Sequence, residues 1–198
     1  MNGIEFIFRS CNDLGDNDRH HTEYGVSSED IDLSHLRGYE RKKILDIGSG
    51  SGIIARRIRD ELGCDVFAIE PGLEESNGVE RDPFISSCNE LGQDKVEKCT
   101  LQDAIKNTKY QQAFEIVTVH KYNVNFEEKH EFVSALSKVV KPYGHVLIHT
   151  VEHERIMENN ELYLLDDLKL YFADVSYRTR SYQNGRDAII FCYGPRNW

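Results

Sequence analysis

The chain has 198 residues, enough for one domain with a sizeable core. Its 34 acidic residues against 24 Lys plus Arg give a formal charge of −10, which repels phosphate backbones and argues against nucleic acid as a partner. The two clearest apolar runs, Gly144 to His149 and Ala188 to Tyr193, are far too short to cross a bilayer, so no membrane association is expected.

The first residues, MNGIEFIFRS, lack the basic-then-apolar order of a secretory signal. Cys11, Cys64, Cys88, Cys99 and Cys192 are odd in number and contain no Cys-x-x-Cys pair, so they read as free thiols of a reducing compartment. A cytoplasmic location is therefore expected. Arg37, Arg41, Lys42 and Lys43 cluster before the first strand and read as a solvated approach to it rather than a nucleic-acid groove.

Residues 1–40 are polar and irregular, with a short helix expected near residues 28–36; they form a lead-in and a candidate lid over the site. The regular domain is expected over residues 41–198. Lys43 to Ile47 is a mostly apolar run ending in glycines, as a buried parallel strand requires. Ile54, Ile58 and Leu62 then recur at helical spacing, and Gly63 is a natural stop. Cys64 to Ile69 supplies a second strand, closing a right-handed β-α-β unit. Asp82-Pro83 is a cap and first-turn proline for a helix to about Leu91.

Lys95 to Cys99 is a weak third strand and Phe114 to Val119 a strong fourth. Phe132, Val133, Leu136, Val139 and Val140 form a stripe on a helix of roughly 14 residues, which Pro142 and Gly144 end. Gly144 to Thr150 is the fifth strand, and a helix near Glu161 to Tyr171 follows. Ala173 to Arg178 and Ala188 to Tyr193 flank Asn184-Gly185, a hairpin signal with a linker longer than two residues. The pattern is α/β: a doubly wound, mostly parallel sheet with helices on both faces and a C-terminal antiparallel hairpin.

The sharpest feature is Asp46-Ile47-Gly48-Ser49-Gly50-Ser51-Gly52, set between a strand and a helix. Glycines there permit positive φ and clear side chains away, so a ligand can lie on backbone beside the helix amides. A phosphate loop needs Gly-Lys-Ser/Thr at its end, which is absent. An NAD-type Gly-x-Gly-x-x-Gly would place its third glycine at Ile53, so an NAD-dependent enzyme is the weaker alternative. Asp46 disfavours a pyrophosphate and suits a ligand carrying cationic groups. Glu70 ends the second strand, where a carboxylate can accept both hydroxyls of a ribose.

These residues resemble the class I S-adenosylmethionine (SAM)-dependent methyltransferases, from about Lys42 to Tyr193. The family's first motif is similar to Leu45 to Gly52, its second to Ala68-Ile69-Glu70-Pro71, its third to Leu101-Gln102-Asp103-Ala104 and its fourth to Phe114-Glu115-Ile116-Val117. Leu136 to Ile148 resembles its helix, Lys-Pro-Gly-Gly and strand, with Tyr143 replacing the first glycine. The resemblance implies a Rossmann-like seven-stranded sheet of order 3-2-1-4-5-7-6 and SAM as cofactor. It places Gly48, Ser49, Gly50 and Gly52 under the cofactor, Asp46 on its amino group, directly or through water, and Glu70, next to Pro71, on the ribose. Asp103 would meet the adenine amino group, with Leu101, Gln102 and Ala104 beside the ring.

On the acceptor side, His120-Lys121-Tyr122-Asn123 follows strand four. His120 is the candidate general base, and Tyr122 and Asn123 could position an acceptor by stacking or hydrogen bonding. The run does not resemble the Asn/Asp-Pro-Pro-Tyr signature, no Pro-Cys pair follows strand four, and the strand-four acid of a Lys-Asp-Lys-Glu ribose methyltransferase is missing. A small molecule or protein side chain is thus the expected acceptor. A nucleic-acid methyltransferase and an inactive SAM-binding partner subunit remain the alternatives within the fold.

His149, Glu152 and His153 lack a His-x-x-x-His pattern, so no metal is expected. His20, His21 and Tyr24 could belong to the lid. Tyr163, Tyr171, Tyr177, Tyr182 and Trp198 could form an acceptor wall, an interface or ordinary packing.

Overall fold

The computed structural model describes residues 38–72, 82–120, 128–152, 157–158, 161–162, 164–182 and 185–196. The short helix expected near residues 28–36 lies outside them, as does almost all of the lead-in.

Seven strands form one sheet: β1 (Lys43–Ile47), β2 (Asp65–Ile69), β3 (Val96–Glu97), β4 (Phe114–His120), β5 (Val140–Glu152), β6 (Phe172–Tyr182) and β7 (Gly185–Pro195). Their spatial order is β3-β2-β1-β4-β5-β7-β6, as expected. The first five are parallel, and β7 runs antiparallel to both β5 and β6. Among the described residues, the α-helices are α1 (Ile53–Leu62), α2 (Pro83–Leu91), α3 (Leu101–Ala104), α4 (Lys129–Val139) and α5 (Leu165–Tyr171).

Strands buried on both faces need apolar residues at successive positions, and β1 has them. Ile44 joins Ala55 and Ile58 of α1, Val66 and Ala68 of β2, and Leu91 of α2 in one core. Leu45 and Ile47 face the opposite core with Val117, Val119, Phe132, Leu136 and Leu168. The connections from β1 and from β4 leave toward opposite sides, so a crevice opens at the carboxyl end of β1.

Local signals set the helix ends. Gly63 closes α1 in the left-handed conformation, its N–H donating to Arg59 O. Asp82 Oδ1 accepts from Phe84 N at 3.0 Å and Pro83 opens α2, as expected.

Several boundaries differ from the sequence expectation. The stripe helix α4 is 11 residues long, and Val140 already belongs to β5. Pro142 and Gly144 therefore lie within a strand rather than ending a helix. Phe114 pairs with Val140 and Ile116 with His145, so β5 advances five positions while β4 advances two. The three extra residues bulge, and a proline is tolerated where the ladder is interrupted. Gly144 fits because an added Cβ would lie 2.6 Å from Val140 Cγ2 and 2.8 Å from Glu115 O.

The third strand shrinks to two residues. The helix expected from Glu161 starts at Leu165, because Glu161–Leu162 pairs with Met157–Glu158 in a small antiparallel ribbon. The final hairpin is tighter than expected: Tyr182 pairs with Gly185, leaving two residues between strands. The four described cysteines are free, as the sequence implied. Among the described residues, no helix is long and apolar enough to cross a membrane.

Candidate functional site

The chain leaves β1 through three left-handed glycines, with φ of 66° at Gly48, 55° at Gly50 and 78° at Gly52. Gly48 N donates to Ile69 O at 2.9 Å, tying the turn to the end of β2. The glycines then do different work. A Cβ added to Gly50 would meet nothing within 4 Å, so this backbone floors open space. A Cβ at Gly52 would sit 2.9 Å from Ser87 Cα, so that glycine lets α1 pack on α2. Ser49 reinforces the same junction, its Oγ lying 2.8 Å from Ser87 Oγ. Gly52 caps α1 without a side-chain bond, and no acid occupies the first turn, so the helix start presents backbone amides alone.

Two buried acids flank the turn. Glu70 Oε2 accepts from Gly50 N at 2.8 Å and Oε1 from Gly72 N at 3.1 Å. An ionised carboxylate offers about four acceptor positions, so about two remain, enough for a vicinal diol. Asp46 is 1% exposed, and its Oδ1 accepts from Thr118 Oγ1 at 2.7 Å. Burial pushes the Asp46 carboxyl up to about 7; the Thr118 bond opposes this and the charge of Glu70 adds to it.

Thr118 escaped the sequence reading. Its signal was a hydroxyl in the middle of an apolar strand, and it acquires meaning only from register, which sets Thr118 directly beside Asp46.

Pro71 is exposed just beyond Glu70. The expected ring-side residues separate in character. Leu101 and Ala104 are buried in the main core, Gln102 is half-buried and Asp103 is exposed. Asp103 accepts from Thr100 Oγ1 at 2.9 Å and pairs with Lys106 at 2.6 Å. The Lys106 ammonium, then the Thr100 hydroxyl, hold its carboxyl below the usual range. Thr100 Oγ1 also accepts from Asp103 N at 3.2 Å, so this pair caps α3.

The structure thus brings Asp46, Gly48, Ser49, Gly50, Gly52, Glu70 and Pro71 together at the adjoining carboxyl ends of β1 and β2. His120 ends β4 and pairs with His149 of β5, which sets the backbone of both at the carboxyl edge of the sheet. The side chains of His120, His149 and Glu152, and all of Tyr122, Asn123 and His153, lie outside the described residues. So do the side chain of Tyr182 and the whole of His20, His21, Tyr24, Tyr163 and Trp198. Tyr171 bonds His130 Nε2 at 3.0 Å, and Tyr177 is exposed. Among the described residues, no three His, Cys, Asp or Glu side chains gather closely enough to hold a metal. A shallow depression lined by Lys106, Thr108, Gln111 and Lys138 lies at the amino end of β4, away from the glycine turn.

The sequence of a family described as "Methyltransferase domain" matches residues 19–186. The ubiquinone biosynthesis O-methyltransferase of Photorhabdus laumondii is 28% identical over 125 residues, 62% of this chain and 48% of that protein. The Vibrio atlanticus protein of the same name is 30% identical over 119 residues, 60% of this chain and 47% of its own. The chain therefore spans about half the length of the curated relatives it matches. A SAM-dependent methyltransferase from Archaeoglobus fulgidus shares the fold with a TM-score of 0.58 at 14% identity, covering 81% of this chain and 91% of that one. The PH0226 protein from Pyrococcus horikoshii gives 0.60 at 13% identity, covering 83% and 86%.

Proposed function

The chain belongs to the methyltransferase-domain family and has the class I fold, and from that premise we propose that it holds SAM at the turn between β1 and α1 and transfers the methyl group to a small molecule or protein side chain. The observation that carries this reading is the conjunction, at the adjoining ends of β1 and β2, of an open left-handed Gly50, a Glu70 carboxylate bonded to that turn, and a buried Asp46.

The donor set fits the cofactor group by group. Asp46 suits the cationic amino group, and the amides opening α1 suit the carboxylate. Glu70 keeps acceptor positions for the ribose diol. By family resemblance the adenine falls to Gln102 and Asp103, and the exposed Asp103 is free of the core to turn toward it. A pyrophosphate fits poorly, because it would lie against two buried acids.

When bound, SAM supplies a methyl made electrophilic by its sulfonium. The protein's own work is then to orient the acceptor, exclude water and, for a hydroxyl acceptor, remove a proton. His120, at the end of β4, is the base we assign to that step, with Tyr122 and Asn123 positioning the acceptor. The names of the curated relatives favour an oxygen nucleophile, so hydroxyl groups head the set of acceptors to test.

Calorimetry with S-adenosylhomocysteine (SAH), followed by transfer of labelled methyl to phenols, amines and protein substrates, tests the reading. Binding with turnover on one class, lost in His120→Ala while SAH affinity holds, is expected. Absence of SAH binding refutes the cofactor assignment; binding without turnover on any class favours a SAM-binding partner subunit instead.

A further inference from the structure

Asp46 is the least expected residue in the sheet: an acid on β1, 1% exposed, between two apolar neighbours. Its partners are few. Oδ1 takes the Thr118 hydroxyl at 2.7 Å, and no described residue donates to Oδ2. It forms no ion pair among the described residues. Register sets Ala68 of β2 and Thr118 of β4 beside it. Ile44, Ile116, Ala55 and Ile58 fill the same side of the sheet, and none of them ionises.

Among the described residues, the charge acting on Asp46 is that of Glu70, of the same sign. Glu90 on α2 and Arg56 on α1 satisfy each other at 3.1 Å. His120 ends β4 two residues past Thr118, with its side chain outside the described residues. A buried carboxyl beside another acid, with one oxygen held and no described donor on the other, suits a cationic group.

We propose that Thr118 is a positioning residue that holds Asp46 Oδ1 against the sheet and leaves Oδ2 for the cationic amino group of the cofactor, whose arrival drives a proton from Asp46 into solvent. This rests on the SAM reading above. The balance is simple: a protonated Asp46 and a ligand ammonium give a carboxylate–ammonium pair and one released proton.

Burial lifts the Asp46 carboxyl to about 7, so near neutral pH the free site holds part of a proton. An ammonium beside it favours the charged form and lowers that value in the complex. Affinity therefore falls as pH falls below about 7, approaching tenfold per pH unit. Thr118 opposes the upward shift, so its loss moves the whole window to higher pH.

Two measurements on the full chain test this. The first is a carbon-13 NMR titration of the unliganded Asp46 carboxyl in wild type, Thr118→Val and Thr118→Ser. A midpoint near 7 in wild type, displaced upward in Thr118→Val and restored in Thr118→Ser, is expected. The second is calorimetry with SAH from about pH 5.5 to about 7.5, in buffers of different ionisation enthalpy, which counts protons exchanged. Proton release on SAH binding is expected, with none for adenosine, which lacks the amino-acid tail. An ordinary aspartate midpoint, or one unmoved in Thr118→Val, overturns the proposal while leaving SAM binding intact. So does SAH binding without proton release. Failure of SAH to bind at every pH overturns the cofactor reading and the coupling together.

Discussion

Asp46→Asn should make the unliganded protein more stable at alkaline pH while weakening its hold on the cofactor. Burial raises the Asp46 carboxyl from an aspartate's usual 3.8 to about 7, roughly three pH units. Between those values the folded chain keeps a proton that the unfolded chain has lost, so rising pH destabilises the fold across that window. At about 1.4 kcal/mol per unit, the ceiling is about 4 kcal/mol once Asp46 is fully charged. Asparagine does not titrate, and its side-chain oxygen can still accept from Thr118. The stability difference between variant and wild type should therefore widen in favour of asparagine by about 2–3 kcal/mol between about pH 5 and about pH 8. Urea unfolding of both chains at the two pH values reads this directly. The pH dependence of the difference is decisive, since it removes every other titrating group common to the two proteins. A difference that stays constant, or that grows toward acid pH, would refute the claim that this carboxyl is charged at a cost to the fold.

The two glycines should part company under substitution. Gly50→Val should abolish SAH binding by filling open space, with a conformational cost of about 2 kcal/mol from the left-handed backbone; thermal unfolding that shows a folded but non-binding protein checks it. Gly52→Ala should cost more, because the 2.9 Å approach to Ser87 Cα is added to a φ of 78°; a loss no larger than that of Gly50→Ala in the same denaturant assay would contradict the packing role. Asp82→Ala removes the bond to Phe84 N at the start of α2 and should cost about 1 kcal/mol in denaturant unfolding.

The parts of this fold written in local chemistry were readable from the chain alone. The run from Asp46 to Gly63 contains a buried strand, a glycine turn, a helical stripe and a glycine stop, and each signal points to the same structure. Asp82-Pro83 is equally local. What depends on distant partners is not legible locally. Pro142 and Gly144 look like a helix stop until β4 is placed beside them, when they become a bulge against Glu115. The close approach of Gly52 to Ser87 is visible only once α2 is packed on α1. Thr118 looks like any polar strand residue until the register sets it against Asp46. Asp103, which the resemblance assigns to the adenine, has its carboxylate held by Lys106 and Thr100, a local pairing that the motif does not reveal.

A crystal structure of the full chain with SAH bound tests the central claim most directly. The account predicts the ribose hydroxyls on Glu70, the amino group at Asp46 Oδ2, and the ligand lying over Gly50. A nucleoside seated elsewhere, or a Glu70 still closed on the two glycine amides with no sugar against it, would contradict it.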